Sequence, residues 1–175
     1  IVEETGADEY QLYLTTDDKS NFRYDIATIK PYKGHRTNDK PYWYAHIRNF
    51  LVDNRGAIEV SGQEADDAMS IDQCRNLYLK GVDLGESSSW SDTVICTKDK
   101  DLLMVPGYHY NWAKPEEGVW WQDELSGLRC FYKQLLTGDP VDNIPGLFGV
   151  GNSSKLLSHL DELTTEADMY EHVFG

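Results

Sequence analysis

The sequence predicts an α/β fold with a mainly parallel central sheet and a small helical subdomain at its C-terminal end. Three observations lead there. Short β-rich segments alternate with helical stripes in the order strand, helix, strand, helix, strand, which is how a parallel sheet is built. Acidic residues gather just after those strands, and a glycine-rich turn near residue 146 joins two helical stretches. The chain has 175 residues, enough for one domain with an appendage and a real core. The expected division is a core over 1–137 and a helical subdomain over 138–175.

The first strand is expected over Tyr10–Thr15, where Tyr, Leu and Thr alternate, and Asp17–Asn21 then reads as a turn. A polar, aromatic stretch follows from Pro31 to Arg36. Tyr44, Ile47, Phe50 and Leu51 mark the inward stripe of a helix, and Ala57–Val60 a short strand. Residues 65–80 form a second helix with Ala68, Ile71, Leu77 and Tyr78 inward, ended by Gly81. Thr93–Thr97 is a buried-type strand. Gly107–Trp112 and Val119–Trp121 form a hairpin around Pro115 and Gly118. A helix over Asp123–Thr137 comes next, then the glycine turn and a helix from about Asn152 to Leu163, with the chain all-helical from Asp139 onward. No internal repeat or low-complexity tract interrupts this order.

Charge narrows the function classes. Sixteen Lys and Arg face thirty Asp and Glu, a net charge of −14, so binding to DNA or a membrane through bulk positive charge is excluded. The 40% hydrophobic content is too rich for a disordered acidic chain. Cys74, Cys96 and Cys130 are far apart with no CxxC or Cys/His spacing, which disfavours a disulfide scaffold or zinc ribbon and suits a reducing compartment, hence a cytoplasmic protein. The start, Ile1-Val2-Glu3-Glu4, is not a signal peptide, and its lack of Met suggests a trimmed fragment.

The acids carry the chemistry. Glu64-Ala65-Asp66-Asp67 follows one strand, Asp99-Lys100-Asp101 the next, and Asp139-Pro140-Val141-Asp142 precedes the glycine turn. In an open α/β sheet the C-terminal strand ends form the ligand crevice, where segments far apart in sequence meet. Glu64 and Asp67 are neighbours on a helix; Asp99 and Asp101 share a side of an extended chain; Asp139 and Asp142 share a side at a helix start. Converging carboxylates repel, and hard cations such as Mg²⁺ or Mn²⁺ relieve that repulsion, which points to metal-assisted phosphoryl transfer. Each cluster alone also has a plainer reading: helix-start acids favoured by the dipole, or solvated turn acids. The glycine run Ile144-Pro145-Gly146-Leu147-Phe148-Gly149-Val150-Gly151 leaves backbone amides free to meet phosphate at a helix start, or else makes an ordinary tight turn between helices. It is not a Walker A loop.

These residues resemble the 5′-nuclease family, the flap endonucleases and 5′-3′ exonucleases of phages and of bacterial DNA polymerase I. Glu64–Asp67 is similar to that family's EADD signature, Thr97–Leu102 to its S-x-D-K-D-L segment, and Gly138–Gly146 to its GDxxDNIPG. Asn21-Phe22-Arg23 and Tyr32-Lys33-Gly34-His35-Arg36 resemble its FR…YKxNR stretch, with Asp17 or Asp18 where an acid follows the second strand. The resemblance implies a PIN-like 5′-nuclease core with a helix-three-turn-helix appended. It implies two Mg²⁺ or Mn²⁺ ions held by Asp17 or Asp18, Glu64, Asp66, Asp67, Asp99, Asp101, Asp139 and Asp142. Lys33 and Arg36 would neutralise the scissile phosphate at the base of a helical arch over about residues 30–50. Arg23, Tyr32, Gly146, Gly149, Gly151, Ser153 and Lys155 would contact DNA, Tyr42, Trp43 and Tyr44 are further candidates to stack on bases, and K⁺ would sit at the helix-three-turn-helix.

The implied activity is structure-specific hydrolysis of DNA phosphodiesters at free 5′ ends, flaps or nicks, with RNA/DNA hybrids as further substrates, by a monomer in replication or repair. The family's first strand, with an Asp in a D-G/S-x pattern, does not precede Tyr10, and Asn152-Ser153-Ser154 stands where relatives carry Lys. Two other readings compete: a noncatalytic or truncated DNA-structure-binding relative, and a PIN-like ribonuclease.

Overall fold

β-Branched and aromatic residues form short strands here, and glycines end the helices between them. The computed structural model describes residues 1–36, 39–81 and 91–175. Positions 37 and 38, inside the expected arch, lie outside that description. A four-residue helix, α1 (Val2–Thr5), opens the chain and was not expected from the sequence. Strand β1 (Tyr13–Thr15) is followed by α2 (Arg23–Ile26), α3 (Tyr44–Arg55), β2 (Ile58–Val60) and α4 (Ala65–Lys80). Strand β3 (Val94–Cys96) leads through a 3-10 turn at Lys100–Met104 into β4 (Gly107–Tyr110) and β5 (Val119–Gln122). Helix α5 (Glu124–Thr137), the two-residue strands β6 (Gly138–Asp139) and β7 (Ile144–Pro145), and helices α6 (Lys155–Leu160) and α7 (Glu166–Phe174) complete it.

The mixed α/β class is as expected, and its parallel pairs are β1–β2, in register Tyr13 to Ile58, and β3–β4, in register Val94 to Tyr108. β4 and β5 form the expected antiparallel hairpin. Among the described residues the strands fall into three separate sheets, β1–β2, β3–β4–β5 and β6–β7, where one continuous sheet was expected. The C-terminal part is not all helix either. Gly138 and Gly146 let two backbones cross so closely that a Cβ on Gly138 would stand 2.2 Å from the Gly146 nitrogen, and this approach builds the β6–β7 pair.

Two inward faces differ from the apolar periodicity. On α4, Ile71 and Tyr78 are exposed, while Gln73 and Leu77, four residues apart, are buried. The Gln73 amide donates to the carbonyl of Tyr108 at 3.1 Å, so a polar residue occupies a core position because it meets backbone at the start of β4. On α3, Ile47 and Phe50 are exposed. The apolar cluster of the C-terminal part is formed by Tyr132, Leu136, Leu157, Leu160 and Met169, which lock α5 to α6 and α7. Helix α5 also lies against the 3-10 turn through Gly127, where a Cβ would come 2.6 Å from the Met104 carbonyl oxygen. That close approach sets α5 beside Asp101. No described helix is long and apolar enough to cross a membrane.

Candidate active site at the strand ends

The site is assembled from four loops. The Thr15 hydroxyl at the end of β1 accepts the Ala65 N–H at 2.8 Å, which anchors the start of α4 beside the strand ends. There Asp67 caps its own helix, accepting the Glu64 N–H at 2.9 Å. Both Asp67 oxygens also receive Arg23, at 2.6 and 2.7 Å, and this fork holds the Asp67 carboxyl below the ordinary carboxylate range. Arg23 and Asp67, expected at DNA and at metal, are therefore spent on one another and fix the α4 N-terminus.

The loop 31–36 is docked on the turn 139–143. Lys33 has a left-handed backbone, φ 52°, and its N–H donates to the Asp142 carbonyl at 3.0 Å. Asn143 is also left-handed, φ 64°, a conformation Asn tolerates better than most residues, and its side-chain amide donates to the Pro31 carbonyl at 2.9 Å. The Lys33 ammonium meets Glu64 and lies 3.7 Å from Asp142, while Arg36 donates to Asp142 at 2.8 Å. Tyr32 is buried, with its hydroxyl 2.8 Å from both Glu64 and Asp142. Burial and these two carboxylates push its phenol above the ordinary range. Tyr32 thus ties two acid segments together and offers no open face to a base.

The remaining acids face one another. Burial, then the charges of Asp99 and Glu64, push the Asp66 carboxyl up to about 6. Asp101 is raised by burial, then by the charges of Asp139 and Asp99. Asp139 is 3% exposed, and its Oδ1 accepts the Val141 N–H at 3.0 Å. Lys100 reaches Asp101 and Asp139 at 4.0 Å. Gln134 on α5 donates to Asp101 at 3.0 Å, a contact that apolar periodicity could not flag. Asp99 and Asp101 do not share an extended face, because the chain turns into a 3-10 helix whose first N–H, from Asp101, is accepted by Asp99 at 3.1 Å. Asp139 and Asp142 likewise part, one toward Asp101 and the other toward Lys33.

Asp17 and Asp18 are satisfied locally. Asp17 accepts from Lys40 and from the Tyr44 hydroxyl, both at 3.1 Å, and Asp18 accepts the Ser20 N–H at 3.0 Å and the Thr16 hydroxyl at 2.8 Å. Tyr42 and Trp43 are exposed. Gly146 has the packing role given above, whereas open space surrounds Gly149, φ 81°, and Gly151. Ser153 lines a second cavity with Asn152, Ser154 and Lys133, and Lys155 begins α6.

The donor set fits a divalent cation in kind: hard carboxylate oxygens, with the Asp66 and Asp101 carboxyls raised by burial and then by their neighbours' charge. Among the described residues no three His, Cys, Asp or Glu side chains stand together as a ready cage. Carboxylate pairs suit an ion such as Mg²⁺, which keeps much of its water and takes one or two protein carboxylates.

No protein-family model matches the chain. DNA polymerase I of Rhizobium leguminosarum is 28% identical over 121 residues, which cover 64% of this chain. The chain spans 11% of that polymerase's length. The phage T5 D15 protein, in a crystal structure with metal ions, superposes with a TM-score of 0.56 at 12% identity over 98% of this chain and 76% of that one. The structural likeness shows a shared fold, in keeping with the expected mixed α/β class.

Proposed function

We propose that this chain is a divalent-metal-dependent 5′-nuclease that hydrolyses DNA phosphodiesters at free 5′ ends, flaps or nicks, in replication or repair. The observation that carries this reading is the division of the crevice. Lys33 and Arg36 stand on Glu64 and Asp142, beside Asp66, Asp99, Asp101 and Asp139, which among the described residues meet no cation nearer than Lys100 at 4.0 Å. Held by those four acids, two Mg²⁺ or Mn²⁺ ions would supply Lewis-acid charge to an attacking water and to the leaving oxygen. Lys33 and Arg36 bind and orient the phosphate, releasing their carboxylates as they turn to it. Tyr32 keeps Glu64 and Asp142 together while they do so, and Arg23 keeps the α4 N-terminus in place through Asp67. The glycine turn and the Ser153 cavity would hold duplex backbone, with K⁺ at the turn, and select structure over base sequence.

The test is cleavage of a 5′-labelled flap duplex by this 175-residue chain with Mg²⁺ or Mn²⁺, an EDTA control and matched RNA and RNA/DNA hybrid substrates. Metal-dependent release of short 5′ DNA products is expected. Binding of the flap without cleavage would establish the noncatalytic relative. Preferential cleavage of RNA would establish the ribonuclease.

A further inference from the structure

A cavity of about 300 Å³ lies between the segment after β3, Asp99 included, and the β4–β5 hairpin. Its lining sets Lys98, Lys100 and Lys114 against Asp99 and Glu117, a locally positive balance in a chain whose net charge is −14. Most cations near the acid crevice are already committed: Arg23 to Asp67, Lys33 to Glu64, Arg36 to Asp142. Lys98, by contrast, makes no ion pair among the described residues and lies 5.4 Å from the centre of the Trp112 ring. Lys100 is held loosely at 4.0 Å from two acids, and Lys114 pairs at 2.8 Å with Glu117 on an exposed edge, where such a pair is weak.

The floor is built and polar. His109, 1% exposed, donates its Nε2–H to the Val105 carbonyl at 2.8 Å and stacks on Trp120 with ring centres 5.8 Å apart. Its Nδ1 is buried with no hydrogen-bond partner among the described residues. The floor is thus fixed by packing and by the Val105 bond, and the lysines at the mouth supply the charge that a backbone phosphate would meet.

We infer that this cavity is a second phosphate-binding site, in which Lys98 and Lys114 hold a backbone phosphodiester of the strand that passes Asp99, next to the one in the acid crevice. The inference rests on the nucleic-acid reading above. Its test is binding of a fluorescent flap duplex by the whole chain in EDTA, across a salt series, for the wild type, the variant Lys98→Ala with Lys114→Ala, and Lys98→Arg with Lys114→Arg. The alanine variant is expected to bind about tenfold more weakly, with a salt slope shallower by about 2, one counterion per lysine; the arginine variant is expected to match the wild type. An alanine variant with wild-type affinity and slope overturns the inference and leaves the proposed function standing. A wild type that binds no duplex in EDTA overturns the second site, whereas the proposed function stands or falls on the metal-dependent cleavage above. The indole signals of Trp112 and Trp120, followed by NMR, separate the phosphate sources: they should shift with the duplex, and an equal shift with inorganic phosphate at the same phosphate concentration overturns the assignment to a nucleic-acid strand.

Discussion

On one side of the crevice Glu64, Asp67 and Asp142 meet Lys33, Arg23 and Arg36; on the other, Asp66, Asp99, Asp101 and Asp139 meet chiefly one another. The first side is stable by itself, since each carboxylate has a cation at hydrogen-bond range. On the second, burial and then the neighbouring carboxylates raise the carboxyls of Asp66 and Asp101. An external cation therefore has most to gain on the second side, and a phosphate has cations to meet on the first. The asymmetry supports a division of labour between metal binding and substrate binding within one crevice.

Substitutions can break or sharpen that contrast. The largest effect is expected from Asp66→Asn combined with Asp101→Asn, which strips the uncompensated side of charge. Metal-dependent flap cleavage should fall by about 10³-fold, since the metal contributes several kcal/mol to the transition state, while duplex binding persists. Retained cleavage would refute the assignment of that side to metal. Gly146→Ala attacks both sides at once, because its Cβ would lie 2.2 Å from the Thr137 carbonyl carbon and would part the crossing that delivers Asp139 and Asp142. A loss of about 3 kcal/mol is expected in chemical denaturation, and an unchanged midpoint would remove the crossing from the account.

The compensated side is tested by Arg23→Ala, which leaves the half-buried Asp67 without its fork and should cost about 1–2 kcal/mol; Arg23→Lys should recover part of it, since an ammonium cannot reproduce the two parallel bonds. Asp66→Asn alone has the opposite sign in EDTA. The folded carboxyl titrates near 6 against an ordinary value of 3.8, so folding favours the protonated form and stability falls as pH rises from about 4 to 6. Above that window the variant should be more stable than wild type by about 1 kcal/mol after solvent screening, and below it the two should coincide. A variant less stable at pH 8 would contradict repulsion on that side. The smallest effect is expected at Asp17→Asn, whose partner Lys40 is exposed: thermal unfolding should register less than about 0.5 kcal/mol.

Much of this site was legible in the sequence. Two of the three acidic segments could be placed at strand ends, after β2 and β3, because strand and helix alternate there; Asp139–Asp142 instead follows helix α5 and enters the β6–β7 crossing. The hairpin over β4 and β5 and the helix α4 were likewise expected, with Gly81 ending the helix in a left-handed cap. Gln73 was not legible as a core residue, since polarity gives no sign that backbone carbonyls wait at the start of β4. The resemblance puts Tyr32 at DNA, and nothing local reveals the two carboxylates around its hydroxyl, residues 64 and 142 being far off along the chain.

The sequence by itself determined the mixed α/β class, the acidic loops and the glycines that permit a close crossing, all of which depend on residue type and short-range spacing. Tertiary structure alone decided the pairing of the acids. Asp139 and Asp142 are three residues apart, yet a turn with Asn143 in the left-handed region sends one toward Asp101 and the other toward Lys33 and Arg36. Whether a carboxylate is neutralised or left against another depends on which loops fold over it, and long-range packing fixes that.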